Sequence, residues 1–286
     1  MKFFLITSDH LSDRLWFKDT EDFIVAMNYV AIVAFKYGCC VLAFILMSNH
    51  VHFVLAEDRE KSVLFINEFK KMYSKYLSKK YNGRKHLKRN DIDLRELSPY
   101  DESLERAIAY VQMNSVAAGL CLSPSEYPWG TGRCFFRPIP AKGTKAGELS
   151  GRKLRHTIHS RERVPDCFLI CEEGYILPES YVAVDFVESL FRRAQRMKYF
   201  LDHSSKASKR LFSEQDIPSF KDQILISAIP DLCRGLFRKN SFKELEEGEK
   251  AELLKQLRYR FSSNINQLCR VTGLEYSTAA SLLDSI

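Results

Sequence analysis

A nine-residue apolar run, Cys39 to Met47, is the feature that most constrains the fold of this chain. Aliphatic and β-branched side chains without polar interruption are typical of a central strand that is buried on both faces. The turn-forming pair Ser48-Asn49 follows, and His50 to Ala56 returns as a second strand, so the segment predicts a β-hairpin. The run is far shorter than the roughly 20 residues of a membrane-spanning helix, so we expect no membrane partner.

The elements around this hairpin predict one α+β domain over residues 1–137. A strand is expected at 2–7, followed by helices at 21–37, 62–81 and 103–120, with a polar, loop-rich stretch at 82–99 that has room for one further strand. The order β-α-β-β-α-(β)-α is typical of a ferredoxin-like (RRM-like) antiparallel sheet, and we expect the helices on one face of it.

The remainder of the chain predicts a basic linker at 138–166, rich in Gly and Pro, and a mostly helical region at 167–286. Helices are expected at 181–200, 217–238, 242–260 and 264–284. Within 264–286, a short amphipathic helix, Gly273 and a second short helix match a helix-turn-helix pattern. An ordinary pair of antiparallel helices explains the same pattern.

His50 and His52 project from the same face of their strand, because side chains alternate with a period of two. Two adjacent imidazoles are natural ligands for one divalent ion. Histidines that hydrogen-bond only to water or backbone are the alternative. On helix 103–120, Tyr110 and Asn114 are one turn apart at the edge of the apolar stripe. They are either a nucleophilic hydroxyl and an amide ligand, or a half-buried core tyrosine and an ordinary polar residue.

The net charge of +7 is concentrated in one segment. Residues 70–89 contain no acid and nine cations, interleaved with tyrosines, which is the pattern of a nucleic-acid-binding surface. A solvated basic helix is the alternative. Tyr73, among these lysines, is a rival nucleophile that we interpret as a DNA contact or packing residue. The proposed DNA-binding set is Lys70, Lys71, Tyr73, Lys75, Lys79, Lys80, Arg84, Lys85, Lys88 and Arg89.

Three blocks in order resemble the one-tyrosine HUH transposases, and within them the REP-associated tyrosine transposases. They are Met47 to His52, Ala109 to Leu120 and Glu126 to Trp129. The family patterns are M-P-N-H-x-H, Y-I-h-x-N-P-V-x-A-G-L and x-Y-P-W-S-S. Ser48 and Ser115 replace prolines, and Gly130 replaces a serine, so no reacting group departs from the family. The resemblance covers about residues 1–137.

The resemblance implies that His50, His52 and Asn114 bind Mg²⁺ or Mn²⁺ and that Tyr110 is the nucleophile. It further implies cleavage and rejoining of single-stranded DNA beside a hairpin through a 5′-phosphotyrosine, by a monomer or a homodimer. A relaxase or replication initiator shares this chemistry. The alternative outside this enzyme class is a DNA-binding regulator without strand-transfer activity that acts through 264–286. A ferredoxin-like RNA-binding domain is disfavoured, because the sequence lacks the aromatic strand motif of such domains.

We expect a cytoplasmic, nucleoid-associated protein. No secretory h-region is present, because the apolar patch near the start, Phe3 to Ile6, is only four residues long. The eight cysteines include no C-x-x-C pair, which argues against a zinc ribbon and favours reduced thiols.

Overall fold

The computed structural model describes residues 1–8, 15–81, 87, 92–100, 102–212, 222–261, 263 and 265–284. Side chains at 203, 205–212, 223, 259, 265, 266, 280 and 284 are outside the description.

A four-stranded antiparallel sheet forms the centre of the N-terminal half. Its strands are β1 (Phe3–Ser8), β2 (Val41–Met47), β3 (His50–Leu55) and β4 (Ile92–Leu97), in the order β2-β3-β1-β4. The predicted hairpin of β2 and β3 is confirmed, and Met47 pairs with His50 across the two-residue turn. Strand β4 is the one further strand for which the predicted loop-rich stretch 82–99 had room. The α+β, ferredoxin-like fold class is therefore confirmed.

Three long helices pack on this sheet: α1 (Thr20–Tyr37), α2 (Arg59–Lys80) and α3 (Ser103–Ala117). Helix α1 begins where the Asp19 carboxylate accepts a hydrogen bond from the Asp22 N–H. It ends at Gly38, whose φ of 59° is the left-handed conformation that glycine adopts without strain. Both ends therefore follow from local chemistry.

The helices lie on both faces of the sheet, which corrects the expectation of a single helical face. Phe53 of β3 contacts Phe65 and Phe69 of α2, with ring centroids 5.1 and 5.7 Å apart. His52, the adjacent residue, points the opposite way, and its ring centroid lies 5.4 Å from that of Tyr110 on α3. Helices α1 and α2 thus cover one face, and α3 covers the other.

The segment 138–166 is a packed part of the fold, so its interpretation as a linker is wrong. It contains strand β5 (Thr144–Lys145), which pairs with β6 (Leu169–Ile170), and helix α4 (Gly151–Thr157). Asn28 of α1 is fully buried and fixes this segment through its side chain. Its Nδ2 donates to the carbonyls of Thr157 and Gly174 at 3.4 and 3.1 Å, and its Oδ1 accepts from the Ile176 N–H at 2.8 Å.

The predicted helical C-terminal region is confirmed. It contains α5 (Val184–Phe191), α6 (Ala194–Phe212), α7 (Asp222–Phe237), α8 (Glu247–Phe261), α9 (Ile265–Thr272) and α10 (Tyr276–Asp284). The helix expected at 181–200 is two helices, because the chain breaks at Arg192, which has a φ of 64°. Among the described helices, none is long and apolar enough to cross a membrane.

The described residues form two hydrophobic cores, and the boundary between these cores differs from the predicted domain division. The first core includes the sheet and continues through Ile158, Ile176 and Phe191 to Phe200. The second lies among α7 to α10, around Leu254 and Leu268. The predicted boundary at residue 137 therefore falls inside the first core, because residues up to 200 bury their side chains against the sheet and its helices.

Candidate active site

His50 and His52 lie on one face of β3, as the strand period predicts, and their ring centroids are 4.8 Å apart. Both side chains are shielded from solvent, with residue exposures of 9% for His50 and 2% for His52. Burying two imidazoles side by side has a desolvation cost that hydrogen bonds or a bound ion must offset. The two histidines are therefore buried polar groups that require partners, and they are not an accidental pair on the protein surface.

Each imidazole is oriented by a hydrogen bond at Nδ1. The His50 Nδ1 lies 2.7 Å from the Asn49 Oδ1. Because an amide oxygen only accepts, the His50 Nδ1 is the donor and Nε2 carries the lone pair. The His52 Nδ1 lies 3.0 Å from the Thr7 hydroxyl, and the same tautomer results when that hydroxyl accepts. Outer hydrogen bonds of this kind orient metal-binding histidines.

Tyr110 lies beside His52, with ring centroids 5.4 Å apart. Its ring meets the His52 ring nearly edge-on, at an angle of 78°. Burial raises the pKa of the Tyr110 hydroxyl, and a hydrogen bond from the Asn114 side chain partly opposes the increase. The Asn114 Nδ2 donates to the Tyr110 carbonyl at 2.8 Å, which fixes the amide on the same helix edge. The structure thus brings together Tyr110 and the two histidines, with Asn114 one turn further along α3.

Contacts with two different parts of the protein hold α3 in place. The fully buried Leu104, Ile108 and Val111 pack toward the sheet. On another side, the Glu105 carboxylate accepts a hydrogen bond from Arg196 of α6 at 3.1 Å, and Glu105 is only 4% exposed. The position of Tyr110 therefore depends on the sheet and on a helix from the C-terminal region.

The third sequence block supports the hairpin from its edge. The Tyr127 hydroxyl donates to the Leu46 carbonyl at 2.8 Å, and the Leu46 N–H donates to the Trp129 carbonyl at 2.8 Å. At Gly130 a Cβ atom would lie 2.7 Å from the Phe44 carbonyl oxygen, closer than packed atoms approach. The close approach of two backbones thus explains the glycine that stands at a family serine position.

The structure changes the interpretation of the basic segment. Tyr73 is fully buried, with its hydroxyl donating to the Trp16 carbonyl at 2.8 Å, and Lys70 is 2% exposed beside the Trp16 ring. Both are corrected from DNA contacts to core residues, because neither side chain reaches the surface. Lys80 is held by three carboxylates, those of Asp19, Glu21 and Asp22.

The other proposed DNA contacts divide into two groups. Lys71, Lys75 and Lys79 are exposed on α2, and Lys71 pairs with Glu68 at 2.9 Å. Arg84, Lys85, Lys88 and Arg89 lie outside the described residues. Since α2 covers the face of the sheet opposite His52, its exposed lysines point away from Tyr110.

Sequence reasoning missed the roles of Thr7 and Asn49 as supports of the histidines. Asn49 is adjacent to His50 in the turn, so its proximity was available from the motif. Thr7 stands opposite His52 only through the pairing of β1 with β3. No local signal in the sequence contains that pairing.

The groups at this site that could hold a metal ion are two imidazoles and one amide oxygen. Within the described parts of the chain, no group of three or more His, Cys, Asp or Glu side chains is arranged to hold a metal. Asn114 on α3 carries an amide oxygen, a donor of the kind that Mg²⁺ and Mn²⁺ accept.

Paired histidines on an antiparallel sheet beneath a helix-borne tyrosine are the arrangement that the sequence blocks predict for a DNA-processing transposase. Residues 15–91, about a quarter of the chain, match the family model described as IS200-like transposase. The match includes His50 and His52 and ends before α3. The resemblance recognised in the sequence is thereby confirmed, and residues 15–91 are similar to IS200-like transposases.

A solved structure of a REP-associated tyrosine transposase bound to a REP hairpin is similar to this chain. The likeness covers 62% of this chain and 91% of that one, with 13% sequence identity and a TM-score of 0.36. No curated protein sequence matches the chain.

Proposed function

We propose that this protein is a metal-dependent endonuclease and transposase that cleaves and rejoins single-stranded DNA beside hairpins. The observation that carries the proposal is the contact of the half-buried Tyr110 ring with His52, whose ring in turn lies beside that of His50. The match of residues 15–91 to IS200-like transposases supports it.

We propose that His50, His52 and Asn114 hold Mg²⁺ or Mn²⁺. The fit rests on the donor set: the Nδ1 atoms of the histidines are engaged by Asn49 and Thr7, so each Nε2 serves as the ligand atom. The Asn114 Nδ2 donates to a backbone carbonyl, so its amide oxygen serves as the third. When bound, such an ion supplies charge neutralisation at the scissile phosphate.

Tyr110 performs the covalent step in this proposal. Its hydroxyl oxygen attacks the phosphorus in line and loses its proton, the bond between phosphorus and the 3′-oxygen breaks, and that oxygen takes up a proton. The products are a 5′-phosphotyrosine and a free 3′-OH. Because the phosphodiester bond is exchanged and not hydrolysed, a 3′-OH can reverse the step and join strands without ATP.

The fixed, half-buried position of Tyr110 supports its role over that of Tyr73. Attack in line needs a nucleophile held in a fixed position, and α3 is fixed by the sheet and by Arg196. The Tyr73 hydroxyl already donates to the Trp16 carbonyl inside the core, where no phosphate can reach it.

We propose a single-stranded DNA hairpin as the substrate, as in the transposase solved with a REP hairpin. Its phosphates would be neutralised by the exposed Lys71, Lys75 and Lys79 and by the arginines and lysines of 84–89, which lie outside the described residues. Binding of this kind weakens steeply with salt, with a slope in log Kd of about 0.7 per phosphate for single strands. Such a protein acts at the nucleoid.

The test uses the full chain with single strands from the flanks of its own gene, in Mn²⁺. We expect a covalent protein–DNA adduct that withstands denaturing electrophoresis. Tyr110→Phe removes only the hydroxyl, so DNA binding should persist while the adduct disappears. Tyr73→Phe, the matched control, should retain the adduct. An adduct mapped to Tyr73, or one retained by Tyr110→Phe, contradicts the assignment.

A DNA-binding regulator without strand-transfer activity is the second candidate, and the geometry of α9 and α10 favours it. The turn between these helices passes through Gly273 with a φ of 74°, and Leu268 and Ala279 pack the two helices into the second core. Tyr276, Ser277 and Thr278 are exposed at the start of α10. Specific binding of duplex DNA by this region, with no adduct under any divalent ion, would support the regulator.

A further inference from the structure

The C-terminal helices contact the N-terminal half at the end of the sheet that carries the turn between β2 and β3. Leu15 packs against the second core. The next two residues, Trp16 and Phe17, both donate their backbone N–H groups to the Ser48 carbonyl in that turn, at 2.9 and 3.1 Å. Ser48 is two residues before His50. The unit formed by α7 to α10 therefore reaches the end of the sheet where the paired histidines begin.

Arg258 of α8 makes a second contact, at the C-terminal end of α3. A Cβ atom on Gly119 would lie 3.2 Å from the Arg258 Nη2, so the guanidinium lies against the backbone of this glycine. The chain is held there to the turn of α3 that carries Asn114, because the Ala118 N–H donates to the Asn114 carbonyl at 3.0 Å. Gly119 is five residues past Asn114, which at 1.5 Å per residue is roughly 8 Å along the helix.

The Arg258 guanidinium is half-buried and, among the residues that the structure describes, forms no ion pair or hydrogen bond. Two other arginines of the same unit differ in this respect: Arg270 pairs with Asp222 at 2.8 Å, and Arg260 donates to Gln256 at 2.9 Å. Partial burial takes water away from a guanidinium without replacing its hydrogen bonds, and a bound anion would offset that cost.

Attraction to the C-terminal end of the α3 dipole explains why a cation is favoured at Gly119, but it leaves the N–H donors of the guanidinium unused. A phosphate accepts two of these donors at once. The groups of the proposed site are two imidazoles, a phenol and an amide, none of which carries a permanent positive charge. Sites of phosphoryl transfer combine a metal ion with cationic side chains at the phosphates, and Arg258 is placed to supply such a cation.

We infer that Arg258 binds a backbone phosphate of the cleaved strand, next to the scissile one, and so holds that strand in place at Tyr110. This inference rests on the proposed function. The offset of Gly119 from Asn114 along α3 assigns Arg258 to a neighbouring phosphate and leaves the scissile phosphate to the groups on β3 and α3. A phosphate contact fixes the position of a strand without reading its sequence. The C-terminal unit thereby takes a direct part in substrate binding.

Methylphosphonate interference tests this contact, because each probe replaces one charged phosphate by a neutral linkage. The probes are single strands from the flanks of the gene, and the full chain carries Tyr110→Phe so that no strand is cleaved. At one position of the scan the neutral linkage should raise the Kd about tenfold. Adding Arg258→Gln should reduce that effect to less than about twofold.

The salt dependence of binding is the second measurement. Arg258→Gln should raise the Kd for the unmodified strand about tenfold and lower the slope of log Kd against log salt by about 0.7, the value for one phosphate of a single strand. Arg258→Lys retains the charge and should retain the slope. Arg238→Gln is the matched control: Arg238 is exposed just after α7, so its loss should leave the interference pattern unchanged.

An interference pattern that is the same with and without Arg258→Gln would overturn the inference. A loss of unfolding free energy in Arg258→Gln at an unchanged salt slope would also overturn it, since it would limit Arg258 to stabilising the end of α3. Adduct formation by the unmodified chain in Mn²⁺ tests the proposed function separately. A position that depends on Arg258, in a protein that never forms an adduct, supports the phosphate contact and refutes the enzyme.

Discussion

Replacing Asn28 by alanine tests whether the segment after residue 137 is part of the first core. Asn28 is fully buried and makes three hydrogen bonds, to Thr157, Gly174 and Ile176, which are 129 to 148 residues away along the chain. A buried hydrogen bond contributes roughly 1 kcal/mol net, and a buried group left without its partner adds a desolvation cost. The alanine variant should therefore lose about 3 kcal/mol of unfolding free energy.

Urea unfolding followed by tryptophan fluorescence measures this loss. Trp129 is a suitable reporter, because its ring centroid lies 5.8 Å from that of Tyr175, in the segment that Asn28 holds. Asn240→Ala, at an exposed position in the C-terminal region, is the control and should change the unfolding free energy by less than about 0.5 kcal/mol. A loss below about 1 kcal/mol for Asn28→Ala would show that 138–191 is not anchored on α1 and would restore the linker interpretation.

Three further predictions concern the site and its supports. His50→Ala and His52→Ala should each abolish the adduct and weaken Mn²⁺ binding by calorimetry, with hairpin affinity retained; unchanged cleavage would exclude the metal site. Arg196→Leu removes the partner of a buried carboxylate, so we expect slower adduct formation at constant hairpin Kd, restored when Glu105→Gln is added; no restoration would refute the positioning role. Burial raises the pKa of Asp19, but hydrogen bonds from Lys80 and the Asp22 N–H outweigh it and hold it below its ordinary 3.8. Asp19→Asn should therefore lower the unfolding free energy, measured with urea, above about pH 4, and the difference from the wild type should vanish as the pH falls further. A difference that does not depend on pH would contradict this.

The sequence was sufficient to predict the structure wherever the geometry depends on a single helix or hairpin. The apolar run of β2, the two-residue turn and the period-two spacing of His50 and His52 are local properties of a hairpin, and the structure agrees with all three. The same holds for Tyr110 and Asn114, which lie one turn apart on a single helix. These local spacings carry the family resemblance.

Tertiary structure alone decided which surfaces the elements bury. Tyr73 and Lys70 are in a segment whose composition indicates a solvent-exposed basic helix, yet both face the core, because α2 packs against Phe53 and Trp16. The composition of a segment sums the charges on all faces of its helix. Which of those residues are buried depends on the neighbouring element that covers each face. The side of the sheet that α3 occupies was undetermined for the same reason.

Contacts between residues that are far apart in the sequence could not be predicted from local sequence patterns. The pairing that sets Thr7 beside His52 joins β1 to β3 across 45 residues, and the contact of Glu105 with Arg196 spans 91. The Gly- and Pro-rich composition of 138–166 is typical of linkers, but Ala146, Ile158 and Val164 are buried in the first core and Asn28 donates to the Thr157 carbonyl. Propensity and periodicity act over a few residues, so they determined the elements and the reactive pattern. The supports of that pattern depended on contacts between distant segments, which only the folded chain brings together.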